Sequence, residues 1–307
     1  MARVSFRLAH LTDPHIGPLP SLRRRELLGK RATGYFNWRR GRHLVHDMGV
    51  LAHIVADMRA QSPDHVAMTG DITNLGLPAE FQAARRWLEG LGAPEDVSFV
   101  PGNHDAYVRG SLPDLARAFA PWTTGGTDPD RERRYPYLRV RGKVAVVGLS
   151  SAVPTPMFIA SGRLGRRQIA EAEAILARCG REHLVRVVLL HHPPQIDPAS
   201  LARGLIDARD FSDMLRRQGA ELILHGHNHK ASVRYLEGPR GRIPVVGAPS
   251  ASSARTAARQ CAAYHVFEIE GTGRDYEIRG FSRGATEGGI GPLGRLVFDP
   301  SGAPAAA

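Results

Sequence analysis

Cysteine and lysine are scarce in this chain. Cysteine occurs twice in 307 residues, as Cys179 and Cys261. Two thiols cannot form a disulfide framework, and their spacing is no zinc signature, so both read as free and buried. Lysine supplies only Lys30, Lys143 and Lys230 of the 41 basic residues. No apolar run approaches the ~18 residues that span a bilayer. The start of the chain runs straight into a strand-like segment, Val4–Leu11, without the basic stretch, apolar core and small-residue site of a secretory leader. The expected location is cytoplasmic. Tandem repeats are absent too. Hydrophobic residues at 42% and charged residues at 23% exclude the disordered, collagenous and coiled-coil classes.

The positive charge is unevenly spread. Of the net +11, residues 23–42 carry +7, from Arg23, Arg24, Arg25, Lys30, Arg31, Arg39, Arg40 and Arg42 against Glu26. The remainder is close to neutral, which argues against a general nucleic-acid coat.

Short β-type runs alternate with amphipathic stretches. In 43–58, Leu44, Met48, Leu51, Val55 and Met58 step by 4, 3, 4 and 3 and predict a helix. Further helices are expected over 79–91, 165–178 and 207–218. Strands are expected at His65–Thr69, Val97–Val100, Tyr135–Arg141, Lys143–Leu149, Leu184–His191, Ala220–His225, Ser232–Leu236, Ile243–Val246, Ala262–Glu270 and Asp275–Phe281. Residues 121–134 read as a loop. The reading is one α/β domain over 1–283, with a basic insert at 18–42 and a loosely ordered Gly-, Pro- and Ala-rich tail at 284–307. Two β-rich halves packed face to face, with helices outside, would bury both sheets.

Five segments place Asp, Asn or His directly after a β-type run, where α/β folds gather ligands. They are Asp13-Pro14-His15, Gly70-Asp71-Ile72-Thr73-Asn74, Gly102-Asn103-His104-Asp105, His191-His192-Pro193 and Gly226-His227-Asn228-His229. Oxygen and imidazole donors of this kind suit Zn²⁺, Mn²⁺, Fe or Co. Seven or eight of them exceed one tetrahedral site and suffice for two ions. The glycines before Asp71, Asn103 and His227 fit a backbone that turns sharply or approaches something closely. Each segment alone is weak, since a Gly-Asp after a strand is often only a turn. The ordered set of five is specific.

That ordered set resembles the signature of the calcineurin-like metallophosphoesterases, from Asp13 to His229. The resemblance implies a four-layer sandwich of two stacked mixed β-sheets flanked by helices. It implies two divalent metal ions (Mn, Fe, Zn or Co), the first held by Asp13, His15 and His229 and the second by Asn103, His191 and His227, with Asp71 bridging. His104 would stand beside the phosphate as a catalytic group, held by Asp105, and a metal-activated hydroxide would attack phosphorus. The Ser/Thr protein phosphatases continue the second motif with Asp-Arg-Gly, which is missing here. The Gly-Asp-x-x-Asn form, His191-His192-Pro193-Pro194 and Gly247-Ala248-Pro249-Ser250 look more like bacterial phosphodiesterases. Asn74 and His192 are candidate substrate contacts, with Asn74 also readable as a residue that orients Asp71 or its neighbours, or as a turn residue.

The expected activity is therefore a phosphodiesterase acting on a small phosphodiester or nucleotide-type substrate. The insert leaves alternatives open. Leu19, Leu22, Leu27, Leu28, Tyr35, Phe36 and Trp38 are interleaved with its charges. The segment loosely resembles the insert of metallophosphoesterases that cleave lipid-linked pyrophosphates, so it is a candidate contact to lipid at the inner membrane face. Stacking on nucleic acid, as in a nuclease, is a weaker option. A solvated cap whose aromatics pack on the domain is the plain reading. A non-catalytic, metal-containing binding module is the alternative outside enzymology.

Overall fold

The computed structural model describes residues 5–123, 135–195, 202–255, 260–273 and 275–298. Most of the loop expected at 121–134 lies outside them. Two six-stranded sheets form the body. The first is built from β1 (Phe6–Leu11), β2 (His65–Met68), β3 (Val97–Phe99), β10 (Ala263–Thr272), β11 (Asp275–Thr286) and β12 (Gly289–Leu296), in the order β12-β11-β10-β1-β2-β3. The second holds β4 (Tyr137–Arg141), β5 (Val144–Gly148), β6 (Val185–Leu189), β7 (Leu222–His225), β8 (Ser232–Gly238) and β9 (Gly241–Gly247), in the order β4-β5-β6-β7-β9-β8. Strands β1, β2 and β3 run parallel, as do β5, β6, β7 and β9, while β10, β4 and β8 join antiparallel.

Side chains alternate across these strands as the pleat requires. Leu8, Val144, Val146, Val185, Val187, Leu222, Leu224 and Phe267 pack between the sheets. The opposite face of the first sheet is covered by α2 (Met48–Ala60), α3 (Pro78–Leu91) and α4 (Leu112–Ala118), through Ile54, Met58, Phe81, Leu88 and Leu115. The second sheet's outer face meets α5 (Arg166–Arg181) and α6 (Ala208–Gln218), through Ile169, Leu176, Phe211 and Leu215. This is the four-layer sandwich expected from the sequence.

Three local expectations change. The helix predicted over 43–58 starts at Met48, because the Asp47 carboxylate accepts from the Gly49 and Val50 amides and caps it there. Leu44, counted in the apolar stripe, is 71% exposed. Residues 284–296, expected to be loose, extend β11 and form β12, paired in register from Gly280↔Leu296 to Thr286↔Gly289. An edge strand needs backbone pairing rather than side-chain patterning, and Pro292 falls where the register shifts, a tolerated place. The basic insert contains a helix, α1 (Lys30–Arg40), with no fully buried residue. The insert is seated by Leu19, Leu22 and Tyr35 on a small cluster of Leu75, Leu77 and Tyr107.

Candidate dinuclear metal centre

The five sequence segments converge. Three leave the parallel strands β1, β2 and β3 of the first sheet, and two leave β6 and β7 of the second. The centre therefore bridges both sheets at the strands' carboxyl ends. Among the described residues, eight non-glycine positions have positive φ, and five of them are Asp13, His15, Asp71, His227 and His229. Strained backbone of this kind costs on the order of 1–3 kcal/mol per residue and clusters at functional sites. Close approach explains two of the glycines. A Cβ on Gly102 would strike the Asp71 carboxylate, and one on Gly226 would strike Thr12 and Asp13.

Two subclusters share the cleft. His229 Nε2 lies 3.0 Å from Asp13 Oδ1, and His15 Nε2 lies 3.9 Å from both Asp13 Oδ1 and Asp71 Oδ2. On the other side, His191 Nε2 lies 3.3 Å from Asp71 Oδ2, and His227 Nδ1 lies 2.9 Å from Asn103 Oδ1. Asp71 thus stands between the two groups. Carbonyls set the imidazole tautomers. Nδ1–H of His15 donates to Thr73 O at 3.2 Å, and Nδ1–H of His191 donates to Thr69 O at 2.6 Å. Both Nε2 atoms are thereby aimed into the centre, a common way of orienting a metal ligand.

The donor set fits divalent ions. Nε2 of His191 and of His227 are buried without a hydrogen-bond partner, which is costly for a nitrogen with nothing to bind. Asp13 and Asp71 are buried carboxylates, yet both are held below the ordinary carboxylate range. Burial would raise them, and the facing histidines, His229 for Asp13 and His191 for Asp71, more than offset it. Burial would lower His191, but Asp71 and Asp13 raise it to about 9. The carboxylate pair therefore places a strong demand for positive charge at one point.

His104 is brought to the same cleft. Its amide donates to Asp71 Oδ1 at 2.7 Å, and its Nδ1–H donates to the Asn74 carbonyl at 2.6 Å. Burial, followed by the charge of Arg42, pushes its pKa down to about 3. Asp105 does not hold the His104 ring, contrary to expectation. Its carboxylate accepts from the amides of Asp71, Gly102 and Thr73 and from the Thr73 hydroxyl, at 2.8–3.1 Å. It braces two ligand loops from beneath. The two candidate substrate contacts are already engaged with the protein itself. The Asn74 side chain donates to Ile16 O, and only its carbonyl serves the site, through His104. Both ring nitrogens of His192 are engaged, with Ser151 Oγ at 2.8 Å and Ala160 O at 3.1 Å.

Two residues escape sequence reasoning. His46 lies with His15 and His229 in a cluster whose ligand atoms fall within 4.8 Å of one another, and its Nδ1 is 2.8 Å from Ser252 Oγ. Burial, then Arg42, pushes it down to about 3. No local motif marks it, since its neighbours arrive from distant segments. Arg42, the last basic residue of the insert, reaches inward. Its Nη2 lies 3.3 Å from His15 Nε2. The basic cluster held a signal for it, but not for which arginine turns inward. The cleft opens into a cavity of ≈ 1740 Å³.

Comparison with known proteins agrees with this geometry. Residues 6–231 match the calcineurin-like phosphoesterase family. A protein of Synechococcus sp. named "Probable cyclic nucleotide phosphodiesterase" is 28% identical over 202 residues, covering 65% of this chain and 69% of the relative. A glycerophosphodiester phosphodiesterase of Enterobacter lignolyticus is 30% identical over 201 residues, covering 60% of this chain and 63% of the relative. The chain thus spans about two thirds of the length of these relatives. In fold, a dimetal phosphatase from Danio rerio superposes with a TM-score of 0.60 at 13% identity, covering 95% of this chain and 99% of that one.

Proposed function

The chain belongs to the calcineurin-like phosphoesterases, and from that membership we propose that it hydrolyses small phosphodiesters at the centre described above. The observation that carries this reading is the convergence of Asp13, His15, Asp71, Asn103, His191, His227 and His229 on one cleft, with strained backbone at five of them. In this reading Asp13, His15 and His229 hold one ion, Asn103, His191 and His227 hold the other, and Asp71 is shared. Two bound divalent ions would polarise the phosphoryl group and acidify a water for attack near neutral pH.

The chain's own residues do the rest. Thr12 donates to Asp13 Oδ2 at 2.6 Å, and the His227 amide donates to the same oxygen at 3.0 Å, fixing Asp13 Oδ1 towards the histidines. Ser250 donates to the Asp13 carbonyl at 2.6 Å and ties the β9 loop to the first motif. The Asn74 carbonyl leaves His104 Nε2 as the atom that faces a leaving oxygen. A phosphate anion beside it favours the protonated ring, which then donates there. Both curated relatives carry phosphodiesterase names, which supports a diester over a monoester.

The test is hydrolysis of bis(p-nitrophenyl) phosphate against p-nitrophenyl phosphate, after stripping metal and reloading with Mn²⁺, Zn²⁺ or Co²⁺. The expected result is metal-restored activity with the diester preferred. A preference for the monoester would overturn the diester reading, and two bound ions with no turnover would leave a binding module.

A further inference from the structure

The cavity above the centre is lopsided in charge. Seven Lys and Arg side chains line it, against one carboxylate, Asp71, which belongs to the centre itself. Composition does not account for this, because the whole chain carries 30 acidic residues for its 41 basic ones. Some arginines elsewhere in the molecule are neutralised by carboxylates. Arg7, Arg85, Arg141, Arg167, Arg217 and Arg279 are partly or well exposed, and each pairs with a carboxylate. Among the described residues, none of the cavity's seven cations has such a partner.

They also approach from different sides. Lys30 and Arg42 come from the insert. Lys30 donates to Thr155 Oγ1 at 2.8 Å and lies 4.7 Å over the Tyr107 ring. Arg203 precedes α6, Lys230 follows His229 directly, and Arg234 lies on β8. Two divalent ions would add four further positive charges, against Asp13 and Asp71. Arg42 already stands at hydrogen-bond distance from a ligand nitrogen, so a guanidinium and an ion would face each other across very little space. An anion between them turns that repulsion into attraction. A phosphodiester brings one negative charge, too little for so many cations. The volume of ≈ 1740 Å³ also exceeds the ~300–1,000 Å³ usual for drug-sized ligands.

We infer that the substrate carries a second, phosphate-like anionic group besides its scissile phosphodiester, held on the cationic wall by Arg203, Lys230 and Arg234 while Arg42 faces the reacting phosphate. This rests on the phosphodiesterase reading above. A converging field of this kind raises the local concentration of a polyanion and weakens with salt.

A matched pair of esters tests it. One is thymidine 5′-(p-nitrophenyl phosphate), and the other is the same compound with a 3′-phosphate. With Mn²⁺-loaded protein at low salt, the 3′-phosphate should raise kcat/KM at least about tenfold, the gain of roughly one charge-assisted contact. The gain should shrink at high salt. The double variant Arg203→Gln/Arg234→Gln should bring the ratio towards one, and Arg203→Lys/Arg234→Lys should keep most of it, with thermal unfolding confirming that both fold. A ratio of one or less in the unmodified protein, or a ratio unchanged by the glutamines, overturns the inference. Calorimetric binding of thymidine 3′,5′-bisphosphate against thymidine 5′-monophosphate separates the two readings. A tenfold preference for the bisphosphate with neither ester cleaved sinks the hydrolase and keeps the second anion site. Equal affinities with diester cleavage intact do the reverse.

Discussion

The ligand loops and the basic insert reach the same cleft by opposite means. The loops are short, buried and held by their own backbone. Asp13, His15 and Asp71 are each almost fully inaccessible, and their positions follow from strand ends and left-handed φ angles. The insert has no fully buried residue in its helix, and it is seated through Leu19, Leu22 and Tyr35. Five of its eight cations, Arg23, Arg24, Arg25, Arg39 and Arg40, are exposed, and only Lys30, Arg31 and Arg42 turn towards the body. The lesson is a division of labour. Rigid loops can fix ligand atoms closely, which metal chemistry demands, whereas a half-exposed insert can change its side chains without disturbing them and so is the natural place for substrate choice.

The largest expected effect lies on the rigid side. Partners beyond the ligand shell typically cost about 10–100-fold when removed, and Asp71 stands between both subclusters. Asp71→Asn should therefore lower diester turnover by more than about 100-fold and reduce the bound Mn²⁺ measured by mass spectrometry. Full metal content with near-normal turnover would show that Asp71 is not the shared ligand.

How much of this was legible depends on locality. The five segments that converge on the cleft were readable because each follows a β-type run within a few residues, and the strand periodicity was strong. Leu8, Val144, Val146, Val185 and Val187 fall on the inner face as alternation requires. Asp105 was misread because its neighbour in sequence, His104, is not its partner in space. Its carboxylate turns back under the Asp71 and Thr73 amides. His46 was missed since it meets His15 and Ser252 only through the tertiary fold. Strand β12 was missed because Gly289, Gly291, Pro292 and Gly294 break the side-chain alternation of an edge strand that pairs with β11 along its backbone.

The corrected role of Asp105 gives the next effect. Asp105→Asn would turn an amide donor towards backbone donors and leave at least one unsatisfied. The expected loss is on the order of 3 kcal/mol in urea unfolding, together with weaker metal uptake. A variant of normal stability that loses only turnover would restore Asp105 to a catalytic role.

Burial alone does not define the centre, and His65 sharpens this. It is as buried as His191 but faces no carboxylate. Burial, followed by Arg139 and Arg141, pushes it down to about 3, while its Nε2 lies 2.8 Å from Ser98 Oγ. An unfolded histidine titrates near 6.5. Between these values the unfolded chain binds the extra proton, so stability falls as pH drops below about 6.5. The slope from this residue is roughly 1.4 kcal/mol per pH unit, or about 2 kcal/mol from pH 6.5 to 5. His65→Gln should remove that share of the acid sensitivity, read from urea midpoints at both values. An unchanged slope would place the effect on other buried histidines.

The smallest effects test the insert. Tyr35 packs on Leu75, Leu77 and Tyr107, whereas its neighbour Phe36 is 58% exposed, with the Arg40 guanidinium 5.1 Å from its ring. Tyr35→Ala removes a partly buried ring, at a cost of about 1–2 kcal/mol, less than the ~3–5 kcal/mol of a fully buried one. Much of that loss should be local, as faster amide hydrogen exchange across 30–40 than in α2. Phe36→Ala should stay within about 0.5 kcal/mol, as surface changes usually do. If Lys30 of the insert joins Arg203, Lys230 and Arg234 in holding the second anion, Tyr35→Ala should also reduce the advantage of the 3′-phosphorylated ester, while turnover of bis(p-nitrophenyl) phosphate changes less. Equal losses on both esters would mean that the insert supports the centre itself, and the division between rigid loops and adaptable insert would fall.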